Sequence, residues 1–294
     1  MAEVVPDVSL AMNNARRYLS CAAQLRREII ERSRQYAHSL GLTPKLSYGE
    51  LPTVMFEPDP DRQCHGNFCD ASYKEILRSP EWSRRLTKVH AQERSLPRNE
   101  NGRWRELDSC NSSDALLMNI FCYPRVLKRG RLCGLLGVET GMVAEFGVRA
   151  RVPLAEGKFD RTEVDLRLGS LLIEAKLTEN DFQCRAKAIV HDYRDFDLVF
   201  DRIRLPQTEH EYVGYQLIRN VLAAQATDSS FCVLCDARRP DLIQRWFDVM
   251  QCVQPLDLRL RCKVLTWQEL AATLPAKLQS FLKLKYGIVA CPSR

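Results

Sequence analysis

Residues Thr162 to Thr178 read TEVDLRLGSLLIEAKLT, and the fold turns on this stretch. Gly169-Ser170 is a Gly-X pair of the kind that closes a two-residue hairpin. With that pair at the turn, Leu168 faces Leu171, Arg167 faces Leu172, Asp165 faces Glu174 and Glu163 faces Lys176. Side chains alternate between the two faces of a strand. One face then holds Val164, Leu166, Leu168, Leu171, Ile173, Ala175 and Leu177, all apolar. The other holds Glu163, Asp165, Arg167, Glu174 and Lys176. Cross-strand partners lie about 4.5–5.5 Å apart at Cβ, and like charges there repel. Facing carboxylates therefore call for compensation. A divalent cation is the simplest form, because hard cations such as Mg²⁺ take carboxylate oxygens. The competing reading is a solvated polar face, on which Glu163–Lys176 and Arg167 form surface pairs worth under about 1 kcal/mol.

The surrounding chain supplies further elements. Phe146 to Pro153 alternates as a strand before the hairpin. Beyond it, Tyr215 to Asn220 lies in a helical stretch, and Phe231 to Asp236 reads as a buried strand. Pro240 to Met250 reads as a helix and Cys262 to Trp267 as a further strand. Ser109 to Asp114 is a Ser/Asn/Asp cluster before the apolar run Ala115 to Cys122, which fits a helix N-cap.

The hairpin and this order of elements resemble the PD-(D/E)XK nuclease superfamily, whose fold is restriction-endonuclease-like. Asp165 and Glu174-Ala175-Lys176 match its motif, while Val164 stands where the motif's proline would be. The resemblance covers roughly residues 130–270. It implies an α/β fold with a mixed central sheet flanked by helices. Residues 1–125 are expected as a mainly helical region packed on a nuclease-like core of residues 126–294. It also implies a Mg²⁺-dependent DNA endonuclease of restriction or defence type, with Mn²⁺ a substitute and a homodimer left open. An inactive nucleic-acid-binding relative, or a repair or RNA nuclease, is the alternative. In this reading Asp165 and Glu174 bind the metal, and the carbonyl of Ala175 is a third ligand. Lys176 orients water and stabilises developing charge. A further acidic residue comes from a preceding helix or strand, with Glu145 first and Glu139 second. Gln216 takes the water or the phosphate, with Asn220 one turn on along the same helix face.

The whole chain sets wider bounds. Its 294 residues are 45% hydrophobic and 27% charged, an ordinary globular composition. A net charge of +6 permits a polyanionic partner without demanding one. No apolar run approaches the roughly 18 residues of a membrane span. The opening MAEVVPDVSLAMNNARR lacks a signal-peptide core, so a cytoplasmic protein is expected. Twelve irregularly spaced cysteines, several in apolar runs, suit a reduced chain better than a disulfide framework. Cys232 and Cys235 on one strand point to opposite faces and should not chelate. Cys64, His65, Cys69 and Cys110 form a zinc candidate, set against ordinary packing of His65. Residues 8–40 read as one long helix stopped by Gly41. Arg16-Arg17, Arg26-Arg27, Lys128 to Arg131 and Arg238-Arg239 are the basic clusters available to phosphates. Pro97 to Gly102 reads as a polar turn.

Overall fold

The structure is a computed structural model describing residues 8–47, 52–89, 104–161 and 163–291, with side chains from residue 21 onward. Thr162, the side chains of Arg16 and Arg17, and the turn expected at Pro97 to Gly102 lie outside the described residues.

Five strands form one mixed sheet. They are β1 (Ala144–Arg149), β2 (Glu163–Leu168), β3 (Leu171–Ala175), β4 (Ser230–Cys235) and β5 (Cys262–Thr266). The spatial order is β5-β4-β3-β2-β1. The first three form an antiparallel meander, and β3, β4 and β5 run parallel. The hairpin register is the expected one, with Leu168 opposite Leu171, Arg167 opposite Leu172 and Leu166 opposite Ile173. Gly169 makes the turn at φ +57, which a residue with a Cβ rarely adopts.

The helices that matter here are α1 (Val8–Ser39), α2 (Asp70–Arg78), α3 (Pro80–Arg85), α4 (Ser113–Phe121) and α5 (Gly130–Leu136). After the hairpin come α6 (Tyr215–Ala226), α7 (Pro240–Met250) and α8 (Ala276–Tyr286). One core packs Ile29 of α1, Leu117 of α4, Leu132 of α5 and Leu282 of α8 over Leu166, Leu168, Leu171 and Ile173. The other packs Leu217 and Val221 of α6 and Trp246 of α7 over Leu172, Phe231 and Val233. Strand alternation divides the residues between the two cores. Cys232 falls in the first and Cys235 in the second, as expected of a strand. All twelve cysteines are free thiols. The cap before α4 forms, with Ser112 Oγ accepting the Ala115 N–H at 3.1 Å. Among the described residues no helix is long and apolar enough to cross a membrane.

Three expectations change. Val164 packs into the second core, while Leu166 and Leu168 pack into the first. Gly147, at φ +64, sits between the rungs Phe146–Leu166 and Val148–Val164. The strand expected from Phe146 to Pro153 divides: β1 ends at Arg149, and Val152–Pro153 pairs with Phe159–Asp160 in a separate ribbon. Pro153 has no N–H to give a sheet ladder. Finally, a small hairpin, Cys184–Ala186 with Glu211–Val213, stands between β3 and α6 where nothing was expected.

Candidate active site

The charged face of the hairpin is not a solvated one. Glu174 and Lys176 are 2% and 5% exposed. The β2–β3 ladder stops at Leu166–Ile173, and the next rung is replaced by a side chain. Asp165 Oδ2 accepts the N–H of Ala175 at 2.8 Å. This bond holds the Asp165 carboxylate at the end of β3, beside Glu174. Lys176 turns away from β2, and its N–H donates to Leu234 O of β4 at 2.8 Å. The expected pairing of Lys176 with Glu163 is therefore absent. Lys176 Nζ instead donates to Glu174 Oε1 at 2.9 Å and lies 5.7 Å from the centre of the Phe182 ring.

Helix α6 closes the other side. Asn220 Nδ2 donates to Glu174 Oε2 at 2.9 Å. Arg219 is buried behind it, donating to Asn220 Oδ1 at 2.9 Å and to the carbonyl of Glu163 at 3.1 Å. Asn220, in the sequence only a neighbour of Gln216, is thus the amide that touches the acidic pair. Gln216 lies one turn earlier on the same face. Its N–H is bound by Phe182 O at 3.0 Å, and its buried Oε1 has no hydrogen-bond partner among the described residues. Its side chain makes no hydrogen bond to Asp165, Glu174 or Lys176.

Charge in the site is only partly balanced. Burial pushes the Asp165 carboxyl well above the usual carboxylate range, and the charges of Glu174 and Asp114 push it further. The Lys176 ammonium and the Ala175 N–H offset this in part. Burial by itself lowers the pKa of Lys176, but Glu174, Glu179 and Asp165 outweigh it and hold the amine charged.

Glu145, first candidate for the extra carboxylate, is paired with Arg167. The pair lies one rung away and is two-pronged, at 3.0 and 2.6 Å, with both side chains 42% exposed. Glu139 is no nearer a role, lying in the turn before β1. The acidic residue whose charge reaches Asp165 is Asp114, in the first turn of α4. Asp114 is held by Arg85 at 2.9 Å and Lys88 at 2.9 Å. Arg85 also spans to both oxygens of Glu163 at 3.1 Å. The sequence signal for Asp114 is an acid just inside a Ser-capped helix, which a capping role explains without a site. Glu179 gives no sequence signal at all. It accepts from Ser113 Oγ and from the Leu177 N–H, both at 2.6 Å, and so ties α4 to the end of the hairpin.

Two further groups of residues are placed by the fold. Among the described residues no three His, Cys, Asp or Glu side chains converge as a metal cluster. His65 has both ring nitrogens engaged, Nε2 with Asp108 at 3.2 Å and Nδ1 with the Asn67 N–H at 3.1 Å, so the zinc candidate does not assemble. Arg238 and Arg239 are not free for phosphate. Arg239 is fully buried on Asp241 and on the carbonyls of Glu179 and Asn180, and Arg238 grips Asp236 and Glu28. The lack of a side-chain cluster still fits Mg²⁺, which usually takes one or two carboxylates and completes its shell with water and substrate phosphate. The donors that meet here are hard oxygens: Asp165, Glu174 and the main chain at Ala175. Their mutual repulsion is what a divalent ion relieves.

The family model described as restriction endonuclease associating with ARP matches residues 20–287. The chain belongs to that family. Its matched span takes in α4, the hairpin and α6, so every residue of the site lies within it. No curated protein and no solved structure matches the chain. Membership supports a nuclease of restriction or defence type in general terms.

Proposed function

We propose that the protein is a metal-dependent nuclease that hydrolyses phosphodiester bonds in DNA. The observation that carries this reading is the Asp165–Glu174 pair on adjacent strands, Glu174 buried and Asp165 half-buried, with Lys176 hydrogen-bonded to Glu174. Asp165, Glu174 and the Ala175 carbonyl would hold Mg²⁺, and Mn²⁺ in its place. Mg²⁺ bound there supplies a more acidic water and relief of charge on a phosphoryl oxygen. The chain's own groups do the rest. Asn220 and Arg219 fix the second oxygen of Glu174, so the carboxylate is set before substrate arrives. Lys176 keeps its proton and presents a positive charge where negative charge develops on the phosphate. Gln216 offers a buried, unpaired amide oxygen one helical turn from Asn220, suited to a proton of the attacking water.

An inactive relative of the fold is disfavoured because the Asp, Glu and Lys are all present and drawn together. Free thiols suit a reducing cytoplasm. The family description names an association with ARP, and we extend that association to this chain. The deciding experiment incubates the purified full chain with plasmid DNA, linear DNA and RNA, each with Mg²⁺, Mn²⁺ or EDTA. Metal-dependent DNA cleavage, lost in Asp165→Ala and Glu174→Ala variants that remain folded, is expected. Cleavage that persists in EDTA, or that survives either substitution, defeats the reading. Cleavage of RNA alone redirects it to an RNA nuclease.

A further inference from the structure

Next to the acidic pair, α3 and the edge strand β1 enclose a cleft of about 680 Å³. Its walls carry Arg84, Arg85 and Lys88 on one side and Glu145, Arg149 and Glu163 on the other. The carboxylates there are already matched, Glu145 by Arg167 and Glu163 by Arg85. Lys88 is spent on Asp114. Arg84 and Arg149 are exposed and have no carboxylate partner among the described residues. The cleft therefore presents two exposed guanidinium groups without a carboxylate partner, one on each wall, with only the Nε of Arg84 taken up, by the Pro80 carbonyl at 3.3 Å.

The floor is built to bring a third guanidinium close to the site. Gly147 lies opposite Asp165, between the rungs Phe146–Leu166 and Val148–Val164. A Cβ at Gly147 would collide with Arg85 Nη1 and lie 2.8 Å from Arg85 Cζ. The absent side chain is thus the notch through which Arg85 crosses β1 to reach Glu163 and Asp114. Trp82 Nε1 donates to the Ala144 carbonyl at 2.8 Å and pins α3 along the strand edge, which keeps the cleft open beside the sheet instead of letting the edge pair.

We propose that this cleft seats the sugar–phosphate backbone of the DNA strand next to the Asp165–Glu174 pair, with Arg84 and Arg149 on its phosphates, while Arg85, admitted by Gly147, stays on Asp114 and Glu163 and holds the floor. The proposal rests on the nuclease reading and names where its substrate lies. A planar guanidinium with fixed donors suits phosphate oxygens, and pairing releases counterions from the DNA. None of the basic clusters expected from the sequence contributes to this cleft.

The test is DNA binding by the full chain in EDTA, measured by fluorescence anisotropy with a labelled duplex over a range of salt. Arg84→Glu with Arg149→Glu alters two exposed side chains. It should weaken binding at least tenfold and reduce the slope of log affinity against log salt by about 0.9 for each phosphate no longer neutralised. Lys277→Glu with Lys283→Glu, on exposed positions of α8, is the charge-matched control and should bind nearly as the parent does. Parent-like affinity and slope in the cleft variant, or an equal loss in the control, overturns the proposal. A parent chain that cleaves DNA while the cleft variant binds unchanged removes this inference alone. A parent chain that neither binds nor cleaves DNA removes it together with the nuclease reading.

Discussion

Two buried charge clusters sit at the ends of neighbouring strands, and they are built on opposite terms. After β4, Asp236 accepts from Arg238 at 2.8 and 2.7 Å and from Gln268 at 2.9 Å. Arg239 beside it places its donors on Asp241 and on the carbonyls of Glu179 and Asn180. Each charge there meets an opposite one, and each donor an acceptor. After β3, Asp165 lies beside Glu174, and the nearby positive groups, Lys176 and Arg219, both go to Glu174, while Asp165 accepts only a main-chain N–H. The first cluster is a closed knot that ties the loop after the hairpin to α7. The second retains repulsion that a closed knot would have eliminated. Balanced burial marks a structural role, and unbalanced burial marks a place prepared for something that arrives.

The contrast is open to direct attack, and the largest effect should come from the closed knot. Arg239→Ala leaves Asp241 and two loop carbonyls without their partner in the interior. It should cost about 3–5 kcal/mol, the range for breaking a buried pair. Denaturant titration measures this, and a loss under about 1 kcal/mol would erase the distinction between the clusters.

Lys176→Met should act on rate more than on stability. Removing a group that stabilises charge at a transition state costs on the order of 100-fold or more, about 2.7 kcal/mol. Cleavage within a few fold of the parent would leave Lys176 as a partner for Glu174 and nothing more.

Asp165→Asn should do what few active-site substitutions do and stabilise the metal-free protein, by roughly 1 kcal/mol on the scale of single substitutions. The pKa of Asp165 is raised in the folded state, so its contribution is most favourable below the ordinary aspartate range. It is lost as pH rises through the folded value. Thermal melts of the metal-free parent should therefore fall as pH climbs out of the acid range, and the Asn variant should lack that component. Mg²⁺ should raise the parent's melting temperature most where Asp165 is ionised. An Asn variant that melts lower than the parent at neutral pH contradicts the repulsion.

The smallest effect belongs to Glu145→Gln. Its pair with Arg167 is half-exposed, so its loss should change stability by less than about 1 kcal/mol and leave cleavage unchanged. A cleavage defect near that of Lys176→Met would return Glu145 to the metal site.

Much of this was legible in the chain. A Gly-Ser turn between alternating segments determined the hairpin and its register as far as Leu166–Ile173, because side-chain period and turn length leave little freedom. Length and flanking breakers placed β4, α7 and β5 within a residue or so of their bounds. No expectation covered α8, although Leu278, Phe281, Leu282 and Tyr286 recur at helical spacing between Pro275 and Gly287; the three-residue strands of the Cys184–Ala186 ribbon are too short to carry a pattern.

The tertiary structure decided which charges meet. Sequence spacing offered Glu145 and Glu139 as the extra acid because both lie near β1. The packing of α4 brings the charge of Asp114 to bear on Asp165, from a segment about fifty residues before the hairpin. Arg238 and Arg239 read as a basic patch, yet folding turned both onto carboxylates. Lys176 stood across from Glu163 in the hairpin, yet in the fold Glu163 goes to Arg85 and Lys176 to Glu174. Turns and strand register depend on neighbours in the chain, and the chain specifies them. The partner of a long charged side chain depends on which helix lands on which face, and only the packed molecule specifies that.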